Sequence, residues 1–136
     1  MPKPTPNTPR GALGLRGEHL AARHLAARDY RILVRNYECR AGEIDIIAWQ
    51  PTERTLCFVE VKCRRTGTYG TPALSVTRAK RRHIRQAAAF YLLTSESWLR
   101  RKGMLTEDTS MRFDVIGVRV SDKVYELEHL EGAFWE

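Results

Sequence analysis

Between Gly42 and Arg64 the chain reads GEIDIIAWQPTERTLCFVEVKCR, two apolar runs either side of the turn PTER. Runs of β-branched and aromatic residues broken by a short polar, proline-containing segment define a hairpin in the middle of a small sheet. Three ionisable residues, Asp45, Glu60 and Lys62, interrupt these runs where valine or isoleucine would pack better. Side chains two apart on a strand share a face. Glu60 and Lys62 therefore project together, while Val59, Val61 and Cys63 face the other way. On the preceding strand Asp45 is expected to share a face with Ile47, with Ile44 and Ile46 opposite. A regular hairpin register then brings Asp45 to Glu60, and two carboxylates and an ammonium converge at one end of the sheet.

Two close carboxylates repel unless something offsets their charge. Lys62 offsets part of it. A divalent cation offsets more, and Mg²⁺ is held by one or two carboxylates together with water and substrate phosphate. A bare E-x-K is weak by itself and equally describes an ordinary Glu–Lys pair on an exposed strand. Asp45 across the turn strengthens it, and so does Glu18. Leu15, Glu18, Ala22 and Leu25 fall on one face of the helical segment over 12–28, which places an acid on an apolar stripe. Gly14 and Gly17 either weaken that helix or allow close packing.

The remaining elements follow the same periodicities. RILVRNY, Arg31–Tyr37, precedes the hairpin as a first strand; the hairpin strands span Glu43–Trp49 and Thr55–Arg64. A second helix is expected from about Thr77, its cap, to Leu93, with Ile84, Ala87, Ala88 and Tyr91 as its apolar stripe. SESWLRRKGMLTEDTS reads as an irregular, partly helical connection. MRFDVIGVRV and VYELEHL complete the sheet as fourth and fifth strands. The order α-β-β-β-α-β-β predicts an α/β fold, a mixed β-sheet flanked by helices. Residues 1–11, with four of the chain's six prolines, read as a disordered arm, and 12–136 as one domain.

Charge narrows the partners. Lys and Arg total 23 against 16 acids, a net charge of +7, which favours nucleic acid or, more weakly, an anionic membrane surface. No apolar run reaches the ~20 residues of a membrane-spanning helix, and MPKPTPNTPR lacks the apolar core of a signal peptide. The expected location is the cytoplasm. Three cysteines without a C-x-x-C pair fit reduced thiols, with Cys57 and Cys63 as small apolar filler. The histidines, at 19, 24, 83 and 129, form no ligand set in sequence. The tryptophans signal core or interface packing. Asp114, in RFDV, is either close to the site or paired, for instance with an arginine. TRAKRRHIRQ carries Lys80 and Arg81, expected to face solvent. With Arg64 and Arg65 they form the strongest basic cluster, either a grip on phosphates or a solvated helix face.

The blocks RGEHLAARHLAARDYRILVRNYECRAGEIDIIA, LCFVEVKCRRTGTYGTP, RFDVIGV and EHLEGAF resemble the bacterial YraN-like family. Its kinship is with archaeal Holliday junction resolvases, within the PD-(D/E)xK nuclease superfamily. The resemblance implies a restriction-endonuclease-like fold and a metal-dependent DNA endonuclease acting on branched or junction DNA, working as a homodimer. Asp45, Glu60 and Glu18 would hold Mg²⁺ or Mn²⁺, with the Val61 carbonyl as a further ligand, and Lys62 would orient water or steady phosphate charge. Gln86 sits where several branches place a glutamine. Tyr69, in the glycine-containing loop after Lys62, is a candidate to stack or wedge at a junction. The superfamily's proline before the aspartate is Ile44 here. Two other readings stay open: a non-catalytic nucleic-acid binding module that retains the fold, and a partner in RNA processing.

Overall fold

The computed structural model describes residues 9–65, 76–122 and 124–134. Helix α1 spans Pro9–Ala27, strands β1, β2 and β3 span Arg31–Cys39, Gly42–Gln50 and Thr55–Arg65, helix α2 spans Arg78–Arg101, and β4 and β5 span Ser110–Val120 and Tyr125–Leu130. The five strands lie in sequence order. β3 and β4 run parallel and every other neighbouring pair antiparallel, so α2 is the crossover of a β-α-β unit. The element order is the expected one and the α/β fold class holds. No helix among the described residues is long and apolar enough to cross a membrane.

The helices lie on opposite faces. Leu20, Ala21 and Leu25 of α1 pack on Ile46, Cys57, Val59, Ile116 and Val118. Ile84, Ala87, Ala88, Tyr91 and Leu99 of α2 pack on Ile44, Ile47, Leu56, Phe58 and Val115. The central strands are covered on both sides, so Leu56–Val59 can be apolar without interruption. Cys57 is fully buried and burial pushes its thiol up to about 12, the behaviour of a core filler.

Four expectations change. α1 begins at Pro9 rather than at residue 12, because a proline in the first turn has no intrahelical N–H bond to lose. Its buried stripe is Gly17, Leu20, Ala21 and Leu25, while Leu15 is exposed and Glu18 half-buried at the border. The rotation comes from Gly17. A Cβ there would collide with Cys63 Cβ and stand 2.7 Å from its Sγ, so the bare glycine lets α1 settle onto β3. α2 runs through Arg101 because Leu99, eight residues after Tyr91, continues the apolar stripe past the serines. It ends where Gly103 takes φ 72°. Finally, Ile44 and Ile46 do not share a face, since Ile44 joins the α2 side and Ile46 the α1 side. β2 therefore switches faces at Asp45, opposite the stretch of β1 where Asn36 has φ 55°. The Thr77 cap is as expected, its hydroxyl accepting from Lys80 N–H at 3.1 Å.

Phe134 is buried and stacks on Phe113. Trp49 is buried in the core, and Trp98 is half exposed. Trp135 and the 1–8 part of the proline-rich arm lie outside the described residues.

Candidate active site

The site grows from the face switch in β2. The β2–β3 ladder ends at the pair Ile46–Val59. Two residues on, Val61 N–H donates to the Asp45 carboxylate, Oδ2, at 2.8 Å. A side chain thus takes a ladder hydrogen bond and holds Asp45 against β3, one step past the last pair and beside Glu60. Asp45 is 6% exposed and Glu60 5%. Along β3 burial gives way after Glu60, with Val61 to Arg64 half-buried and Arg65 exposed. The acid pair therefore lies where the closed core meets the surface.

Glu60 carries a strongly perturbed carboxyl. Burial, then the charge of Asp45 and its hydrogen bond, push its pKa up to about 9, against the pull of Lys80 and Lys62. Among the described residues Oε2 of Glu60 is buried without a hydrogen-bond partner. Lys80 Nζ stands 3.5 Å from that oxygen. Two buried carboxyl groups, one with an unbonded oxygen, are a donor set that fits a hard divalent cation.

Lys80 is thus on the acid pair and not turned to solvent. Helical arithmetic explains it: Lys80, Ile84, Ala87 and Tyr91 follow i, i+4, i+7 and i+11, so the lysine extends the apolar stripe. Arg81 flanks the same stripe. Its Nε donates to the Val76 carbonyl at 3.1 Å and its guanidinium lies over the Phe134 ring, so it too folds inward. Gln86 is exposed, on the side of α2 away from Lys80. Lys62 and Arg64 follow Glu60 at strand spacing and share its face. Gly17 places Glu18 near the Cys63 end of β3 but on the α1 layer. Among the described residues no three His, Cys, Asp or Glu side chains gather closely enough to hold one ion, so Asp45 and Glu60 stand as a pair. Tyr69 lies outside the described residues.

Sequence reasoning also left a second polar cluster unassembled, on the α1 side of the sheet. Asp114 is fully buried and accepts from Arg112 Nε at 2.9 Å and Nη2 at 3.0 Å, from Gly132 N–H at 3.0 Å and from His129 Nε2 at 2.8 Å. Arg112 Nη2 also donates to the Tyr30 hydroxyl at 2.6 Å. His129 Nδ1 faces His24 Nε2 at 3.3 Å, and Arg28 Nε donates to His24 Nδ1 at 3.4 Å. Neutral imidazoles, each protonated on Nε2, satisfy every contact in this chain. Burial first, and then the charge of Arg28, lower the His24 pKa, in keeping with a neutral ring. Asp114 is therefore the arginine-paired acid and not a member of the site. The alternation of β4 announced a buried acid there, but nothing local ties His24 to a residue 105 positions away.

A mixed-sheet α/β protein with a buried acid pair beside its central hairpin is the class that the fold and site define. The model of the Uncharacterised protein family UPF0102 matches residues 17–118, and the chain belongs to that family, the YraN-like one. It is 49% identical over 123 residues to a UPF0102 protein of Geobacter sulfurreducens, covering 90% of this chain and 88% of that one. It is 45% identical over 129 residues to one of Chlorobaculum tepidum, covering 90% and 91%. With one of Mycobacterium sp. (strain KMS) it shares 41% over 125 residues, covering 90% and 85%. The family match includes Glu18, Asp45, Glu60, Lys62, Lys80 and Asp114, and stops short of His129.

Proposed function

We propose that this protein is a metal-dependent endonuclease of the PD-(D/E)xK kind, hydrolysing phosphodiester bonds in DNA, with branched DNA as the substrate to test first. The observation that carries the reading is the Asp45–Glu60 pair: two carboxyl groups buried together, an unbonded oxygen on Glu60, and two lysines on the same side. Charge of +7 and the resemblance to junction resolvases support the substrate class. Asp45 and Glu60 would hold Mg²⁺ or Mn²⁺, which supplies Lewis acidity toward phosphate and activates water. The Val61 N–H fixes the Asp45 carboxylate in place. Burial and the Asp45 charge raise the Glu60 pKa, so holding a cation would displace a proton from Glu60 and metal affinity should rise with pH. Lys62 steadies negative charge developing on phosphate.

The experiment is a cleavage assay with Mg²⁺ and Mn²⁺ on linear, single-stranded, flapped and four-way DNA. Wild type is compared with Glu60→Gln and Lys62→Ala. Cleavage by the wild type, lost in both variants, is the expected result. Full activity in Lys62→Ala would remove the assignment. A second reading, a binding module without catalysis, draws on the Lys80–Glu60 contact, because an internal cation can offset the acid pair. DNA binding by the wild type and both variants, with no cleavage by any, would select it.

A further inference from the structure

An open groove of about 470 Å³ runs between α1 and the edge strand β1, lined by Ala12, Leu15, Arg16, His19 and Arg35. Its polar lining is two guanidinium groups and an imidazole, with no acid. Arg16 and His19 are three apart and share one side of α1. Arg35 pairs with Ile46 across the β1–β2 ladder, and Ile46 packs on the α1 side, so Arg35 projects toward the same helix.

Five other arginines of this fold are tied down. Arg28 donates to His24, Arg54 to the Gly103 carbonyl, Arg81 to the Val76 carbonyl, Arg100 to Glu96 and Arg112 to Asp114. For Arg16 and Arg35 no hydrogen bond or ion pair is found among the described residues. Two planar, five-donor forks lining one groove together with an imidazole suit an anion of phosphate geometry. Leu15 and Ala12 give the groove an apolar wall against which a sugar can pack.

The groove also has a defined relation to the acid pair. Arg35, Ile46 and Val59 form one row across the sheet, and Glu60 is the next residue along. Two strand spacings separate β1 from β3, roughly 10 Å between backbones. Arg16 precedes Gly17, which lies against Cys63, one residue beyond Lys62. From these positions we infer that Arg16, His19 and Arg35 form a phosphodiester-binding groove, which holds a backbone phosphate of the nucleic-acid strand away from the bond that is cut. This deepens the nuclease reading and rests on it. Glu60 and Lys80 lie on the α2 face of the sheet and the groove on the α1 face, so the strand would pass from one to the other around the β1 edge.

The test uses the full chain and a fluorescein-labelled four-way DNA junction, with affinity measured by anisotropy across a salt series. The double variant Arg16→Gln/Arg35→Gln is compared with wild type and with Glu60→Gln. All three arginine-groove residues are exposed, so thermal melting should match wild type. The expected result is a ten-fold or greater loss of affinity in the double variant, with the slope of log K against log salt shallower by about one to two. Unchanged affinity and slope in the double variant would overturn the groove and leave the nuclease reading standing. Loss of cleavage in Glu60→Gln with the groove effect intact supports both. An absence of DNA binding by the wild type at low salt would overturn the groove and the DNA reading together.

Discussion

Two carboxylic acids, Glu60 on β3 and Asp114 on β4, occupy neighbouring rows of adjacent parallel strands, since Val59 pairs with Asp114 and Glu60 with Val115. Both are buried, at 5% and 0% exposure, yet they titrate in opposite directions. Burial pushes both upward. At Asp114 it is outweighed by hydrogen bonds from His129, Arg112 and the Gly132 N–H, and the acid stays below its ordinary range. At Glu60 no donor set of that size is found among the described residues, Asp45 adds a like charge, and the acid rises to about 9. The α1 face spends its polar groups on one another, while the α2 face leaves a carboxylate oxygen unbonded. Burial alone does not separate a structural acid from a functional one; the supply of donors does.

The sharpest way to break this comparison is to remove Asp114. Asp114→Ala leaves Arg112 and His129 facing a buried gap, and a loss of about 3–5 kcal/mol in urea unfolding is expected. A loss under about 1 kcal/mol would mean the α1-face network does not hold the fold.

The two faces should also respond oppositely to pH. His24 has a pKa below its ordinary 6.5 and Asp114 one below 3.8 in the folded chain. In each case the unfolded chain binds protons more readily, so their contribution is present at neutral pH and is lost as pH falls. Glu60 runs the other way. Its folded pKa of about 9 exceeds the ordinary 4.5, so its contribution is complete below about 4.5 and is lost as pH rises toward 9. Glu60→Gln mimics the protonated acid. It should raise metal-free stability at pH 8 by roughly 1–3 kcal/mol and flatten the alkaline limb of a stability–pH curve. An alkaline limb unchanged in the variant would show that Glu60 is ionised in the folded protein.

The smallest effect belongs to Lys80. Its side chain is 37% exposed, so Lys80→Met should change stability by less than about 1 kcal/mol. The same substitution should move the Glu60 pKa further up, because one of its two opposing cations is gone. Carboxyl ¹³C NMR of Glu60 reads that shift directly, and an unmoved titration would remove Lys80 from the site.

Much of this was legible in the sequence, for physical reasons. Strand positions followed from period-two patterns, and Val59, Val61 and Cys63 face α1 as alternation requires. The approach of Asp45 to Glu60 followed from hairpin register. Alternation failed at Ile44, because the switch at Asp45 depends on a distorted partner strand and no single-strand pattern contains it. Lys80 was legible in principle, since its spacing from Ile84 and Tyr91 places it on the stripe; its charge drew attention to solvent instead. The groove at Arg16 and Arg35 and the His24–His129 contact depend on how α1 seats on the sheet. That seating turns on Gly17, a residue whose contribution is the absence of a side chain.

The spans of chain that the two acid clusters join have a kinetic consequence. Asp45 reaches β3 through a hydrogen bond across 16 residues, whereas the Asp114 network ties Tyr30 to Arg112 across 82 and His24 to His129 across 105. A hairpin closes in microseconds, while contacts of long separation wait for the rest of the chain. The acid pair should therefore be assembled in the nascent β2–β3 hairpin before β5 arrives. The α1-face network should close last, as the clasp on a molecule whose acid pair is already in place.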